Sequence, residues 1–142
     1  LGAASITNPL ALEAVVELKL GYAMTPYWDL ELQKKALSMN QLLVPGVFSP
    51  TEIRQATQFG CRIIKLFPAK TLGIKYLNQI SIPNNPIPFV IAAGGLNIVD
   101  IQPWLKAGFG AIAIGRNLIK KGNIDLNLST WIKEQEHILN HI

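Results

Sequence analysis

Five short apolar stretches, each closed by proline or glycine, recur along this chain at nearly constant spacing: Tyr22–Pro26, Leu42–Gly46, Arg62–Pro68, Phe89–Gly95 and Ala111–Gly115. With Ala23, Val44, Leu66, Ile91 and Ile114 as markers, the separations are 21, 22, 25 and 23 residues. Apolar runs without polar alternation read as strands covered on both faces, the pattern of a parallel sheet. A repeat of this length leaves room for one helix between successive strands, so the chain reads as repeated βα units. Two architectures fit: an open doubly wound sheet and a (β/α)8 barrel. The even repeat and the lack of a nucleotide-binding glycine loop favour the barrel. The expectation is the C-terminal part of a single barrel domain over residues 1–142, with about the last five to six βα units. Leu1-Gly2-Ala3-Ala4-Ser5 reads as a strand end entering a turn. Roughly the first two strands and part of the third are therefore expected to lie outside this sequence.

The segments between the strands carry helix signals. Ser49-Pro50-Thr51-Glu52 is a capping box with proline at the first helical position. The helix it opens should run through Ala56 towards Phe59, with Gly60 closing it. Asn8-Pro9 opens an earlier helix, with Leu10, Ala14 and Leu18 on one face and Gly21 after it. Asn97 opens another, with Ile98, Ile101 and Leu105 at helical spacing and Gly108 at its end. Gly21, Gly60 and Gly108 each precede a strand, where an αβ turn needs left-handed backbone. A last helix is expected over Leu128 to Leu139. In either architecture ligands bind at the C-terminal ends of the strands. That places Thr25-Pro26, Pro45-Gly46, Lys65 to Pro68, Ala93 to Gly95 and Gly115-Arg116 around one mouth.

Composition narrows the classes. Apolar residues are 49% of the chain and charged residues 15%, which excludes disorder. No apolar run reaches the length of a membrane span, and no membrane partner is expected. No basic segment followed by an apolar one opens the chain, so no export signal is expected. The one cysteine, Cys61, fits a reducing cytoplasm. The net charge of +4 comes from scattered basic residues with little aromatic interleaving, so no nucleic-acid partner is expected. The basic excess suits a small anionic substrate or a solvated surface equally well.

The most informative segment is Cys61-Arg62-Ile63-Ile64-Lys65-Leu66-Phe67-Pro68. Side chains alternate along a strand, so Ile63, Lys65 and Phe67 share one face and Ile64 and Leu66 the other. An ammonium held among apolar groups loses hydration, which lowers its pKa. A neutral lysine amine can add to a ketone and form an imine, and the protonated imine draws electrons from the adjacent carbon. The alternative is a strand-end lysine whose ammonium reaches solvent. Arg62 is expected on the surface at the opposite end of the sheet.

Here the sequence resembles the 2-keto-3-deoxy-6-phosphogluconate (KDPG) and 4-hydroxy-2-oxoglutarate aldolases. Gly60-Cys61-Arg62-Ile63-Ile64-Lys65-Leu66-Phe67-Pro68-Ala69 looks like that family's active-site segment. Val44-Pro45-Gly46-Val47-Phe48-Ser49-Pro50-Thr51-Glu52-Ile53 resembles its I-P-G-x-x-T-P-T-E-I segment, and Met24-Thr25-Pro26 its S-P strand end. Gly94-Gly95-Leu96 resembles its T-G-G-I turn, and Gly115-Arg116-Asn117-Leu118 its G-S-x-L turn. The resemblance implies a class I aldolase that cleaves a 2-keto acid to pyruvate and an aldehyde. It implies Lys65 as the Schiff-base nucleophile, with Phe67 and Pro68 shaping the imine pocket. Gly94, Gly95 and the backbone at Gly115 and Arg116 would bind the substrate phosphate, as glycines let backbone N–H groups approach an anion. Thr25, Pro26 and Pro45 would line the same site. No metal or organic cofactor is implied, because the imine is the electron sink. The resemblance further implies a homotrimer.

Departures from the family pattern bear on the site. Its G-A-G-T turn stands here as Gly2-Ala3-Ala4-Ser5, which keeps a hydroxyl at Ser5. Ala93 replaces the threonine before the glycine pair and lacks the hydroxyl expected to hold the pyruvate carboxylate. Arg116 replaces a serine; its guanidinium could pair with a phosphate, fill the site or point to solvent. The family's general-base glutamate and a carboxylate-binding arginine sit on strands that this sequence does not contain, so no residue here inherits those roles.

Other constellations are weaker. His137 and His141 have metal-ligand spacing on the last helix, but no third ligand is near in sequence, so a surface helix is expected. Glu52 is explained by its cap, and Trp28, Trp104 and Trp131 by packing. Ala93 and Arg116 also leave open a barrel that binds a phosphorylated or carboxylated metabolite without turnover. A bare partial barrel would expose unpaired strand edges and self-associate.

Overall fold

The apolar runs fold as short parallel strands, and the polar-capped segments between them fold as helices. The computed structural model describes residues 1–81, 87–120, 123–124 and 128–133. The chain runs β1 (Gly2–Ala3), α1 (Pro9–Glu17), β2 (Tyr22–Met24), α2 (Leu30–Ser38), β3 (Leu43–Val44), β4 (Gly46–Val47), α3 (Pro50–Phe59) and β5 (Ile63–Leu66). It continues through α4 (Ala69–Leu72), α5 (Tyr76–Ile80), β6 (Phe89–Ala93), a 3-10 turn (Ile98–Asp100), α6 (Ile101–Lys106) and β7 (Ala111–Ala113). Strands β1-β2-β3 and β4-β5-β6-β7 pair in chain order, all parallel. A short antiparallel pair follows, β8 (Ile119–Lys120) with β9 (Asn123–Ile124).

The stretch expected as one strand over 42–46 is two strands, parted at Pro45. Proline has no N–H to give to a ladder, so pairing breaks there. The ends are tied across the break: Thr25 Oγ1 accepts the Gly46 N–H at 3.0 Å, and the Thr25 N–H donates to Val44 O at 3.0 Å.

Register and alternation fix which face the helices cover. Ala23 pairs with Leu43, Val47 with Leu66, Ile64 with Val90 and Leu66 with Ala92. Leu43 and Val47 are four residues apart across Pro45, so all these side chains share one face. They pack against Leu12 and Val15 of α1, Leu32 and Ala36 of α2, Ile53 and Ala56 of α3, Leu77 of α5 and Trp104 of α6. Helices therefore lie on one side of the sheet. A doubly wound sheet carries them on both.

The helix starts follow their sequence signals. Asn8 caps α1 through Ala11 N, and Ser49 with Glu52 forms the expected capping box. Asn97 and Asp100 form a second box. Helix α2, capped by Asp29, carries no comparable proline or glycine signal and went unassigned in the sequence. An ion pair between Lys35 and Glu13 ties it to α1.

Three details differ from expectation. The face of α1 bearing Leu10, Ala14 and Leu18 points outward: Leu10 is 76% and Leu18 70% exposed, and Leu12 and Val15 are buried instead. The helix is apolar nearly all round, so its spacing supports two stripes and the sheet selects one. Gly60 and Gly108 take left-handed backbone, φ 101° and 99°, but at the first αβ turn Lys19 does so, φ 52°, in place of Gly21. In α6, Trp104 turns inward and Leu105 outward. The last helix is helical over residues 128–133; the rest of it, with His137 and His141, lies outside the described residues.

Candidate active site

Strand β5 presents Lys65 on the face away from the helices. The amine belongs to a row set by the register: Gly46, Lys65, Ile91 and Ala111 are successive partners across β4 to β7. Lys65 is 6% exposed, near the C-terminal end of its strand. Its N–H donates to Pro45 O at 2.8 Å, so the interrupting proline fixes the lysine's backbone. Burial lowers the Lys65 pKa from its ordinary value. The Phe67 ring, with Nζ 5.0 Å from its centroid, favours the charged form and offsets part of that effect. No carboxylate faces the amine among the described residues. Glu13, Glu17, Asp29, Glu31, Glu52 and Asp100 all sit on helices, on the 3-10 turn or at their caps.

Two loops press close to this row. Gly46 has no side chain because the chain after β2 occupies its place: a Cβ there would stand 2.3 Å from Pro26 C and 2.6 Å from Tyr27 N. The Pro26–Tyr27 peptide thus lies beside Lys65 on the same face. Gly94, φ 96°, has the Phe67 ring 2.9 Å from where its Cβ would be, and Pro68 Cα at 3.0 Å. The Phe67–Pro68 bond is cis. Pro26, Pro45, Lys65, Phe67, Pro68, Ala93 and Gly94 are therefore one neighbourhood at the strand ends.

The other expected residues are placed differently. The Thr25 hydroxyl is used internally, donating to Tyr27 O at 2.6 Å and accepting from Gly46 N. It is a fastener of the strand ends, which a strand-end motif read in sequence cannot distinguish from a ligand contact. Ala93 is buried at the end of β6, opposite Ala113. Gly95, φ 78°, is exposed above Lys70. Gly115 and Arg116 are exposed at the end of β7, where residues 116–118 form a 3-10 turn. Asn117 Nδ2 donates to Leu96 O at 3.2 Å and so joins that turn to the Gly94-Gly95 turn. Ser5 is exposed after β1, with φ 63°. Sequence reasoning missed Lys70, Asp100 and Asn117, whose partners are 21 to 30 residues away.

At the opposite ends of the strands a cavity of about 480 Å³ is lined by Gln33, Ala36, Leu43, Phe59, Cys61 and Arg62. Burial raises the Cys61 pKa, so its thiol stays protonated and acts as a packing group. Ile63, two residues before Lys65 on β5, also lines this cavity.

Fold and site together define an α/β protein with a buried, desolvated lysine at the C-terminal ends of parallel strands. Residues 1–134 match the family described as "Aldolase: KDPG and KHG aldolase", and the chain belongs to that family. The 2-dehydro-3-deoxy-6-phosphogalactonate aldolase of Escherichia coli is 24% identical over 122 residues, covering 86% of this chain and 60% of that protein. The 2-dehydro-3-deoxy-phosphogluconate aldolase of Pseudomonas aeruginosa is 36% identical over 126 residues, covering 88% of this chain and 57% of that protein. The chain thus spans less than two thirds of the length of these relatives. Among solved structures, native KDPGal aligns with a TM-score of 0.80 at 21% identity, over 98% of this chain and 69% of that one. The KDPG aldolase of Legionella pneumophila, with pyruvate captured at low pH as a covalent carbinolamine, aligns with a TM-score of 0.73 at 24% identity. That alignment covers 92% of this chain and 62% of that one.

Proposed function

We propose that the protein is a class I aldolase cleaving a 2-keto-3-deoxy-6-phosphosugar acid or 4-hydroxy-2-oxoglutarate to pyruvate and an aldehyde, with Lys65 as nucleophile. The observation that carries this reading is the buried amine: 6% exposed, at a strand end, on the face away from the helices. The carbinolamine held by the Legionella relative supports the same addition here.

The neutral Lys65 amine adds to the C2 ketone and gives a carbinolamine. Protonation of the carbinolamine hydroxyl by solvent and departure of water give a protonated imine. A base takes the C4 hydroxyl proton, the C3–C4 bond breaks and the aldehyde leaves, while the bonding pair moves into the imine as an enamine. Protonation at C3 and hydrolysis release pyruvate and restore the amine. No carboxylate among the described residues faces Lys65, so an ordered water is assigned as this base. Burial of Lys65 beside Pro26 lowers the amine's pKa, with Phe67 and Pro68 shaping the pocket around it and the Pro45 carbonyl holding its backbone. Backbone N–H groups at Gly94, Gly95 and Gly115, with the Arg116 guanidinium, take the distal anion. Ser5 offers a hydroxyl at the rim, and Ala93 leaves the carboxylate without one.

Helices on one face of the sheet support a (β/α) barrel whose interior is the Lys65 face, and residues 1–142 form the C-terminal part of that single domain. We place the enzyme in the cytoplasm as a homotrimer, in line with the family. Treating the full-length protein with pyruvate and borohydride is expected to leave one stable adduct on Lys65. No adduct, or one that persists in Lys65→Met, removes the aldolase reading. A barrel that binds such metabolites without turnover is the second reading, favoured by Ala93 and by the lack of a carboxylate facing Lys65 among the described residues. Thermal stabilisation by substrate without pyruvate release would select it.

A further inference from the structure

Gly94 and Gly95 take left-handed backbone in succession, φ 96° and 78°, and carry no side chains. The buried Ala93 and Leu96 hold its two ends, and its middle depends on neighbouring segments. Lys70, from the short helix α4, touches it at three levels. The Lys70 N–H donates to Gly94 O at 3.1 Å. The Lys70 Cβ lies 2.8 Å from where a Gly95 Cβ would stand. Its ammonium then reaches past the turn to Asp100 Oδ1 at 2.7 Å. Asp100 Oδ2 accepts the Asn97 N–H at 2.9 Å, which anchors the far side of the same turn. Burial draws the Asp100 carboxyl up, but hydrogen bonds from Lys70 and Asn97, with the Lys70 charge, outweigh it and hold the carboxyl below its ordinary pKa.

We propose that the Lys70–Asp100 pair is a clamp that fixes the Gly94-Gly95 turn relative to Lys65, so that Lys70 is a positioning residue for the anionic end of the substrate; this rests on the aldolase reading above. Lys70 follows Phe67 and Pro68 on the connection that leaves the lysine strand. The clamp joins that connection to the turn after β6. It thereby sets the span between the attacking amine and the seat of the distal anion. Pairing with Asp100 neutralises the Lys70 ammonium, so its contribution is geometric.

This separates it from a lysine that binds the anion directly. If Lys70 were a direct ligand, Asp100→Asn would free it and lower KM for a phosphorylated 2-keto acid. The clamp predicts the reverse. Asparagine keeps an oxygen for the Asn97 N–H and loses the charge that holds Lys70.

The test measures steady-state kinetics on the full-length protein with a phosphorylated 2-keto-3-deoxy acid. Lys70→Met and Asp100→Asn should each raise KM about fivefold, the upper range for a half-exposed ion pair. The change in kcat should be smaller, the double variant no worse than either single one, and Lys70→Arg should restore KM. Trapping of pyruvate on Lys65, which has no distal anion, should proceed as in the wild type. A lower KM in Asp100→Asn, or unaltered KM in both variants, overturns the clamp. Failure of the wild type to trap pyruvate would sink the aldolase reading instead. The clamp is then decided by hydrogen exchange at the Gly94 and Gly95 amides. Faster exchange in Lys70→Met and Asp100→Asn but not in Lys70→Arg upholds it, and unchanged exchange overturns it.

Discussion

Valine in place of Thr25 isolates one hydrogen-bond network with almost no change in shape. Thr25 is 1% exposed, and its hydroxyl serves Tyr27 O and the Gly46 N–H. Tyr27 is 46% exposed and its carbonyl keeps a second lone pair, so the donor lost there costs less. The Gly46 N–H has no such reserve. Gly46 is buried, with the Pro26–Tyr27 peptide packed 2.3 Å from where its Cβ would stand, so its N–H is shielded from bulk water. An orphaned buried N–H costs about 1–3 kcal/mol. Valine fills the threonine volume, so no cavity adds to that. The expected loss is about 2 kcal/mol, mostly from this one donor. For a domain of roughly this size that corresponds to a fall in Tm of about 4–8 °C. Urea denaturation should show a lower midpoint at unchanged slope. Thr25→Ser keeps both bonds and should lose only about 1 kcal/mol for one buried methyl. A Thr25→Val protein within about 0.5 kcal/mol of wild type, inside the scatter of neutral surface changes, would refute the reasoning. It would show that the Gly46 N–H finds another partner.

Other consequences follow from the same geometry. Lys65→Met removes a buried amine and should raise Tm while abolishing the pyruvate adduct; a lower Tm would show that the amine makes a stabilising contact. Because burial lowers the Lys65 pKa, the unfolded chain binds one more proton than the folded one between the lowered value and that of an ordinary lysine. Stability should rise with pH through that window, and the rise should flatten in Lys65→Met. The rate of pyruvate trapping should climb with pH to a plateau reached below the ordinary lysine range; a midpoint at the ordinary value would mean a solvated amine. Gly94→Ala combines unfavourable φ with a contact of 2.9 Å to the Phe67 ring. It should cost about 1–3 kcal/mol by overpacking, read from the urea midpoint, and should slow trapping by moving Phe67. A variant as stable as wild type would mean that the ring moves freely.

Much of this architecture is written locally. The strand runs, the Ser49–Glu52 box and the left-handed Gly60 and Gly108 each depend on a few adjacent residues, and each is found where expected except the run over 42–46, which Pro45 divides. The lysine strand was legible for the same reason: alternation alone puts Lys65 opposite Ile64 and Leu66. The unread features are relations between distant segments. Two apolar stripes run along α1, and only the sheet decides that Leu12 and Val15 face in. Lys19 can take left-handed backbone in place of Gly21 because the turn geometry, rather than residue type alone, sets the demand. The Thr25 hydroxyl could have bound a ligand or a neighbouring strand, and only its partner Gly46, 21 positions on, shows which. Lys70 and Asp100 are 30 positions apart and signal nothing until the turns meet.

The amide of Lys65 donates to the carbonyl of Pro45, and its Cα is in register with Gly46 and Ile91. Main-chain bonds of this kind are indifferent to which side chains surround them. The backbone position of Lys65 is therefore set without reference to the rim side chains. Residues such as alanine at 93 or arginine at 116 can change at the rim without moving the strand that carries Lys65. A lineage built this way can exchange rim residues one at a time, each intermediate keeping the lysine in register.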